Sequence, residues 1–237
     1  MSASPSRGDG NTNSPSPTEA ARAWTHGARF LISASRIAEL PPPGLPETAF
    51  VGRSNAGKST AINTLAGRRQ LAFASRTPGR TQLINLFELG PPRAPDAWWA
   101  DLPGYGYAAV ERAAKHRWQQ VMADYLMQRP SLAGIVLMVD VRHGFTPLDR
   151  QLLTFVAPRV GAGEVRLLVL LTKADKLGRA DRAKSLATAR QVLADEVATD
   201  EADIGLTLFS AQDGSGVDDA ALTLRQWAAG QPTPTSP

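Results

Sequence analysis

Eight residues, Gly52-Arg53-Ser54-Asn55-Ala56-Gly57-Lys58-Ser59, sit between the apolar run Glu47 to Val51 and a helix-compatible stretch, Lys58 to Ala66. The glycines let the backbone fold close around a bound anion, so that successive N–H groups and the helix N-terminus converge on phosphate oxygens. Such a loop works only where a buried strand feeds directly into a helix, and this restricts the chain to an α/β fold. Lys58 supplies a point charge that reaches the β and γ groups of a nucleoside triphosphate, and Ser59 offers its hydroxyl to Mg²⁺. Thr60 follows and completes the phosphate-binding set.

The rest of the chain alternates in the way this loop demands. Strands are predicted over Gln82 to Leu89, Trp98 to Asp101, Leu132 to Val139, Val165 to Leu171 and Ile204 to Phe209, with a short ordered segment at Phe30-Leu31-Ile32. Helices are predicted over about Ala109 to Gln128, Pro147 to Val156, Ala180 to Glu196 and Val217 to Ala229. Strands written as continuous Val, Ile and Leu runs are those covered on both faces. The expectation is a doubly wound, mostly parallel sheet in a three-layer α/β/α domain over residues 25–230, after a disordered polar tail (1–24) and before a flexible end (231–237). With no cysteine in 237 residues, disulfides, thiolate metal sites and cysteine nucleophiles are excluded. A cysteine-free chain suits the cytoplasm. The apolar runs fall well short of the ~18 residues that a membrane helix needs, so no membrane partner is expected.

Ligands of such sheets lie beyond the carboxyl ends of the strands, and the loops there are informative. Thr172-Lys173-Ala174-Asp175 follows a core strand, and the Asp175 carboxylate can accept from both N1–H and the exocyclic amine of guanine. Adenine would present an acceptor to that charge, a mismatch that a polar site rejects strongly. Lys173 can lay its methylene stem along the base. Phe209-Ser210-Ala211 closes the next strand, with the Ala211 amide placed to donate to guanine O6. Asp101-Leu102-Pro103-Gly104 brings a carboxylate toward Mg²⁺ and a glycine amide toward the γ-phosphate. Between the first helix and the next strand, Arg76-Thr77-Pro78-Gly79-Arg80-Thr81 supplies hydroxyls, and either Thr81 or Thr77 could complete the Mg²⁺ shell.

Tyr105 stands where many regulatory GTPases carry a glutamine that orients the attacking water, so slow intrinsic hydrolysis is expected. Asn55 could hold a monovalent cation, K⁺, between the β and γ groups, or simply shape the loop; Arg76 and Arg80 could assist in cis.

The order of these motifs, phosphate loop, Thr-Pro-Gly-Arg-Thr-Gln, Asp101-Leu-Pro-Gly-Tyr-Gly-Tyr107, Asp140-Val-Arg142, Thr-Lys-Ala-Asp and Phe-Ser-Ala, closely resembles the EngB family of bacterial GTPases over about residues 25 to 230. The resemblance implies a single Ras-like domain that binds GTP and GDP with Mg²⁺, assists assembly of the large ribosomal subunit, and is needed for normal cell division and septation. It also implies Thr81 as the switch threonine on Mg²⁺ beside Ser59. From the residues' own chemistry Asp101 joins them at the metal, and Lys58, Asn55, Thr81 and Gly104 are the candidates for hydrolysis. The long polar N-terminal stretch departs from that family's compact start.

The net charge of +4 is weak evidence of a polyanionic partner, but its distribution says more. Arg68, Arg69, Arg76 and Arg80 lie in or beside the first switch, and Arg112, Lys115 and Arg117 begin the helix after the second. These fit an RNA partner, which the resemblance implies is a precursor of the large ribosomal subunit, rRNA with ribosomal proteins; the chain is expected to act as a monomer. The rival functions are a division-apparatus interaction protein that uses GTP as a ligand without turnover, and an ATPase or small-molecule kinase. The second conflicts with Asp175.

Overall fold

A computed structural model describes residues 14–72, 83–106 and 112–230, with backbone alone for 112–119. Seven strands form one sheet: β1 (Arg29–Ala34), β2 (Glu47–Gly52), β3 (Ile84–Leu89), β4 (Ala97–Asp101), β5 (Leu132–Asp140), β6 (Arg166–Thr172) and β7 (Ile204–Phe209). Their order is β1-β3-β4-β2-β5-β6-β7. Only the β1/β3 and β3/β4 pairs are antiparallel. The helices are α1 (Pro17–His26), α2 (Lys58–Leu65), α3 (Arg112–Gln128), α4 (Pro147–Gly161), α5 (Arg179–Glu196) and α6 (Val217–Ala228). Among the described residues, no helix is long and apolar enough to cross a membrane.

The period of two along each strand separates two cores. In β2, Ala49 and Val51 join Leu137 and Val139 of β5 under α3, α4 and α5, through Leu126, Leu153, Val156 and Leu193. Phe50, Val136 and Met138 face the other way, onto α1, α2 and α6 through Trp24, Ile62, Leu65 and Trp227. Trp227 of α6 lies so close to β5 that a side chain at Gly134 would meet its ring at 2.2 Å. Glycine is required there by the close approach.

Two sequence expectations are corrected. The polar tail does not run to residue 24, because Pro17–His26 is helical. Ser16 and Glu19 form a reciprocal capping box and Pro17 occupies the first turn, where its missing N–H is harmless. Trp24 docks the helix: its Nε1 donates to Asp96 Oδ1 at 2.7 Å, Arg225 lies over its ring at 5.3 Å, and Arg225 also pairs with Asp96. Helix α4 continues past Val156 through Pro158 to Gly161. Burial of Val156 and Val160 outweighs the single backbone bond that Pro158 cannot donate.

The amino end of β2 is anchored by charge. Glu47 is fully buried, and its carboxylate accepts from Arg129 Nε (3.0 Å to both oxygens), Arg129 Nη2 (2.7 Å), Ser131 Oγ (2.6 Å) and the Tyr125 phenol. Arg129 also donates to Pro41 O at 2.8 Å. Burial first, then the Glu47 charge, pushes the Tyr125 phenol well above its ordinary range, so it stays a donor. Removing one partner of a buried ion pair leaves the other charge uncompensated. Arg129→Ala is therefore expected to destabilise the fold by about 3–5 kcal/mol in urea unfolding; a loss below about 1 kcal/mol would show that the cluster does not anchor β2.

Candidate functional site

Parallel register brings the informative loops to one rim. Phe50 of β2 pairs with Asp101 of β4, Gly52 with Met138 of β5, Asp140 with Thr172 of β6, and Thr172 with Phe209 of β7. The carboxyl ends of these strands thus stand side by side, and Gly52, Asp101, Thr172 and Phe209 end theirs there.

The loop Gly52 to Ser59 has the backbone its glycines foretold. Gly57 lies at φ +98° as the residue capping α2, and Asn55 takes φ +66°, unusual for a side-chain-bearing residue. Ala56 N donates to Arg53 O at 2.9 Å, which closes the turn. A side chain at Gly52 would press on Met138 O at 3.0 Å. Lys58, Ser59 and Thr60 form the first turn of α2, with Thr60 exposed.

The loop after β4 is sewn onto this cradle. Ser54 N donates to Tyr105 O at 2.8 Å and Tyr105 N to Gly52 O at 3.2 Å, a parallel bridge of Arg53 with Tyr105. A side chain at Gly104 would lie 3.3 Å from Gly52 O. Asp101, buried at the end of β4, forms an ion pair with Lys58 Nζ. The carboxylate expected near Mg²⁺ and the ammonium expected on phosphate therefore share one spot. Ser59 and Asp101 are hard oxygen donors, the kind Mg²⁺ takes. Among the described residues no group of three or more His, Cys, Asp or Glu could hold a metal by itself, so a divalent ion would depend on phosphate oxygens as well.

Tyr105 is buried, and its phenol donates to Asp149 Oδ1 at 2.6 Å. Burial and then the Asp149 charge raise its pKa far above the usual value. Asp149 Oδ2 meanwhile accepts from Thr146 N (2.8 Å) and Thr146 Oγ1 (2.7 Å), which caps α4. The side chain at the glutamine position is thus engaged with a helix terminus. Sequence spacing gave no signal of this pair.

On the base side, Thr172 Oγ1 donates to Ala56 O at 2.6 Å and Val139 O at 3.2 Å. Lys173, at φ +61°, donates from Nζ to Asn55 O and to Asp140 Oδ2, each at 2.8 Å. Asp175 Oδ1 accepts from Ser210 Oγ at 2.9 Å, and Ser210 Oγ in turn accepts from Gln212 N (3.1 Å) and Asp213 N (3.2 Å). Lys176 Nζ lies 2.9 Å from Asp175 Oδ2 as an ion pair without good hydrogen-bond geometry. Contact with Lys176, and then Ser210, lowers the Asp175 pKa, so the group is a carboxylate at neutral pH. Phe209 is buried and Ala211 is exposed beside Ser210. The structure therefore gathers the cradle, Asp101, Gly104 and the base-side residues Thr172, Lys173, Asp175, Phe209, Ser210 and Ala211. Arg76, Thr77, Gly79, Arg80 and Thr81 lie outside the described residues, as do the side chains of Arg112, Lys115 and Arg117. Exposed Arg68 and Arg69, with Thr60, Asn63, Thr64 and Gly67, line a cleft of about 380 Å³ beside α2.

Comparison with known proteins agrees with this fold. Residues 47–173 match the family model described as 50S ribosome-binding GTPase. A probable GTP-binding protein EngB of Acidovorax ebreus is 58% identical over 206 residues, covering 86% of this chain and 90% of that protein. Its counterpart in Bordetella pertussis is 47% identical over 212 residues, 88% of this chain and 98% of that one. Among solved structures, a probable GTP-binding protein engB superposes with a TM-score of 0.61 at 21% identity, over 78% of this chain and all of that chain. Era, solved in complex with MgGDPNP and nucleotides 1506–1542 of 16S ribosomal RNA, gives 0.59 at 23% identity over 81% of this chain and 58% of that one. The two structures share the fold, a P-loop GTPase domain, and the sequence relatives go further: this chain belongs to the EngB family of GTP-binding proteins.

Proposed function

We propose that the protein is a Mg²⁺-dependent GTPase that binds a precursor of the large ribosomal subunit in its GTP form and leaves after hydrolysis. The observation that carries the nucleotide chemistry is the ion pair of Lys58 with Asp101 beneath a loop whose Gly104–Tyr105 backbone is hydrogen-bonded to the cradle. Lys58 and the cradle amides would take the β and γ oxygens, and Ser59, Asp101 and Thr81 would hold Mg²⁺. When bound, that ion neutralises charge on the phosphates. Gly104 reports the γ group through its amide, and Asp175, Ser210 and Ala211 read guanine.

Intrinsic turnover is slow in this scheme because the Tyr105 phenol is occupied by Asp149 and cannot orient a water. Asn55 then serves a K⁺ ion that offsets charge between the β and γ groups. Support for a ribosomal partner comes from the family description, from the exposed Arg68–Arg69 cleft, and from the rRNA bound by the structural relative Era. A requirement in division and septation follows from the demand of growing cells for ribosomes, and the cytoplasm is where such particles assemble.

Asp175→Asn should shift preference from GTP toward xanthosine triphosphate, because the amide can donate to O2 of xanthine; unchanged guanine selectivity in competition binding would remove Asp175 from the base site. Exchange of K⁺ for Na⁺ should lower GTP turnover several-fold, whereas equal rates in both would leave Asn55 as a loop-shaping residue only. In sucrose gradients the protein should travel with large-subunit particles when loaded with a non-hydrolysable GTP analogue, and not with GDP. Septal localisation without such co-sedimentation would favour the division-apparatus reading.

A further inference from the structure

Asp140 ends β5 and is almost fully buried at the rim, yet the chemistry above gives it no task. Four hydrogen bonds converge on its carboxylate. Oδ1 accepts from Arg142 N (3.1 Å) and Arg142 Nε (2.9 Å). Oδ2 accepts from Arg142 Nη2 (2.7 Å) and Lys173 Nζ (2.8 Å). Burial alone would raise its pKa, but the bonds from Arg142 and Lys173 outweigh that and hold it well below the ordinary carboxylate range.

The same Lys173 ammonium donates to Asn55 O in the phosphate cradle. Both ends of that bond are strained, Asn55 at φ +66° and Lys173 at φ +61°. A lysine in that backbone conformation with a single carbonyl for its ammonium would swing freely, since the side chain has four rotatable bonds and water competes for the head group. The second acceptor fixes the ammonium, and with it the methylene stem assigned to the base and the carbonyl that shapes the phosphate loop.

We infer that Asp140 is a positioning residue for nucleotide retention, acting through Lys173 to lock the base side of the site to the phosphate cradle. Arg142 holds the carboxylate in place from the solvent side. The inference rests on the guanine-site assignment of Lys173 and Asp175. It implies that a nucleotide gains from Asp140 without touching it, and that GDP and GTP gain equally, because they carry the same base and the γ group is not involved in the link.

The test is a four-member cycle on the full chain, wild type, Asp140→Asn, Lys173→Met and the double variant, with release of N-methylanthraniloyl GDP and GTP followed by stopped flow. In Asp140→Asn the amide must turn its NH₂ toward one of two cations, and release of both nucleotides should accelerate by about tenfold, the scale of one charged hydrogen bond. In the Lys173→Met background the same substitution should change release by less than about twofold, since coupled residues are non-additive. A full tenfold effect without Lys173, or unchanged release in the single variant, would overturn the inference. Should Asp140→Asn fail to fold, Asp140→Ser enters the same cycle, removing the charge within a smaller volume. The two assignments fail separately: unaltered base selectivity in Asp175→Asn speaks against the guanine site, whereas additive Asp140 and Lys173 effects with normal selectivity speak against the link alone.

Discussion

Strand β2 has parallel partners on both sides, β4 and β5, and its carboxyl end becomes the phosphate loop without an intervening residue. Everything else at the site takes its position from this strand. The parallel ladder decides that Asp101, Asp140 and Thr172 emerge on the same side as Gly52. An antiparallel neighbour on either side of β2 would have delivered a strand's amino end to the rim and no loop of the required direction. The buried Glu47–Arg129–Tyr125 cluster holds the opposite end of the same strand, so β2 is fixed at one end by charge and at the other by the cradle.

The polar contacts of the rim form one connected system. Thr172 and Lys173 donate to the carbonyls of Ala56 and Asn55, and Ser54 N and Gly52 O exchange backbone bonds with Tyr105 of the loop after β4. In this way the phosphate loop is braced from β6 on one side and from β4 on the other. A loop with two strained or glycine-dependent conformations, Asn55 and Gly57, needs such bracing to persist in one shape.

What the sequence made legible and what it hid divide along the range of the interactions. The phosphate loop, Asp101–Gly104 and Thr172–Asp175 were readable because each is a contiguous string whose function depends on its own backbone. The apolar runs marked β5 and β6 for the same reason. Helix α1 was hidden by its neighbours: the Ser-Pro-rich residues before it set the tone, while its own signals were local, a Ser16–Glu19 capping box and the spacing of Ala21 and Trp24. Helix α4 outruns its expected end at Val156 because burial of Val160 keeps the turn that contains Pro158 helical. The Lys173–Asp140 and Tyr105–Asp149 pairs join residues 33 and 44 positions apart, and no periodicity encodes which side chains meet across a rim.

The tie between Tyr105 and Asp149 sets how the loop after β4 can move. Its phenol bond is charge-assisted, worth about 1.5–3 kcal/mol, and the same carboxylate caps α4, a contact worth about 1 kcal/mol. Displacing the loop breaks the phenol bond at Oδ1 and leaves Oδ2 with its cap inside the helix terminus. The start of α4 would thus keep its shape whichever way the loop lies, and the loop hangs from the helix by one detachable tether.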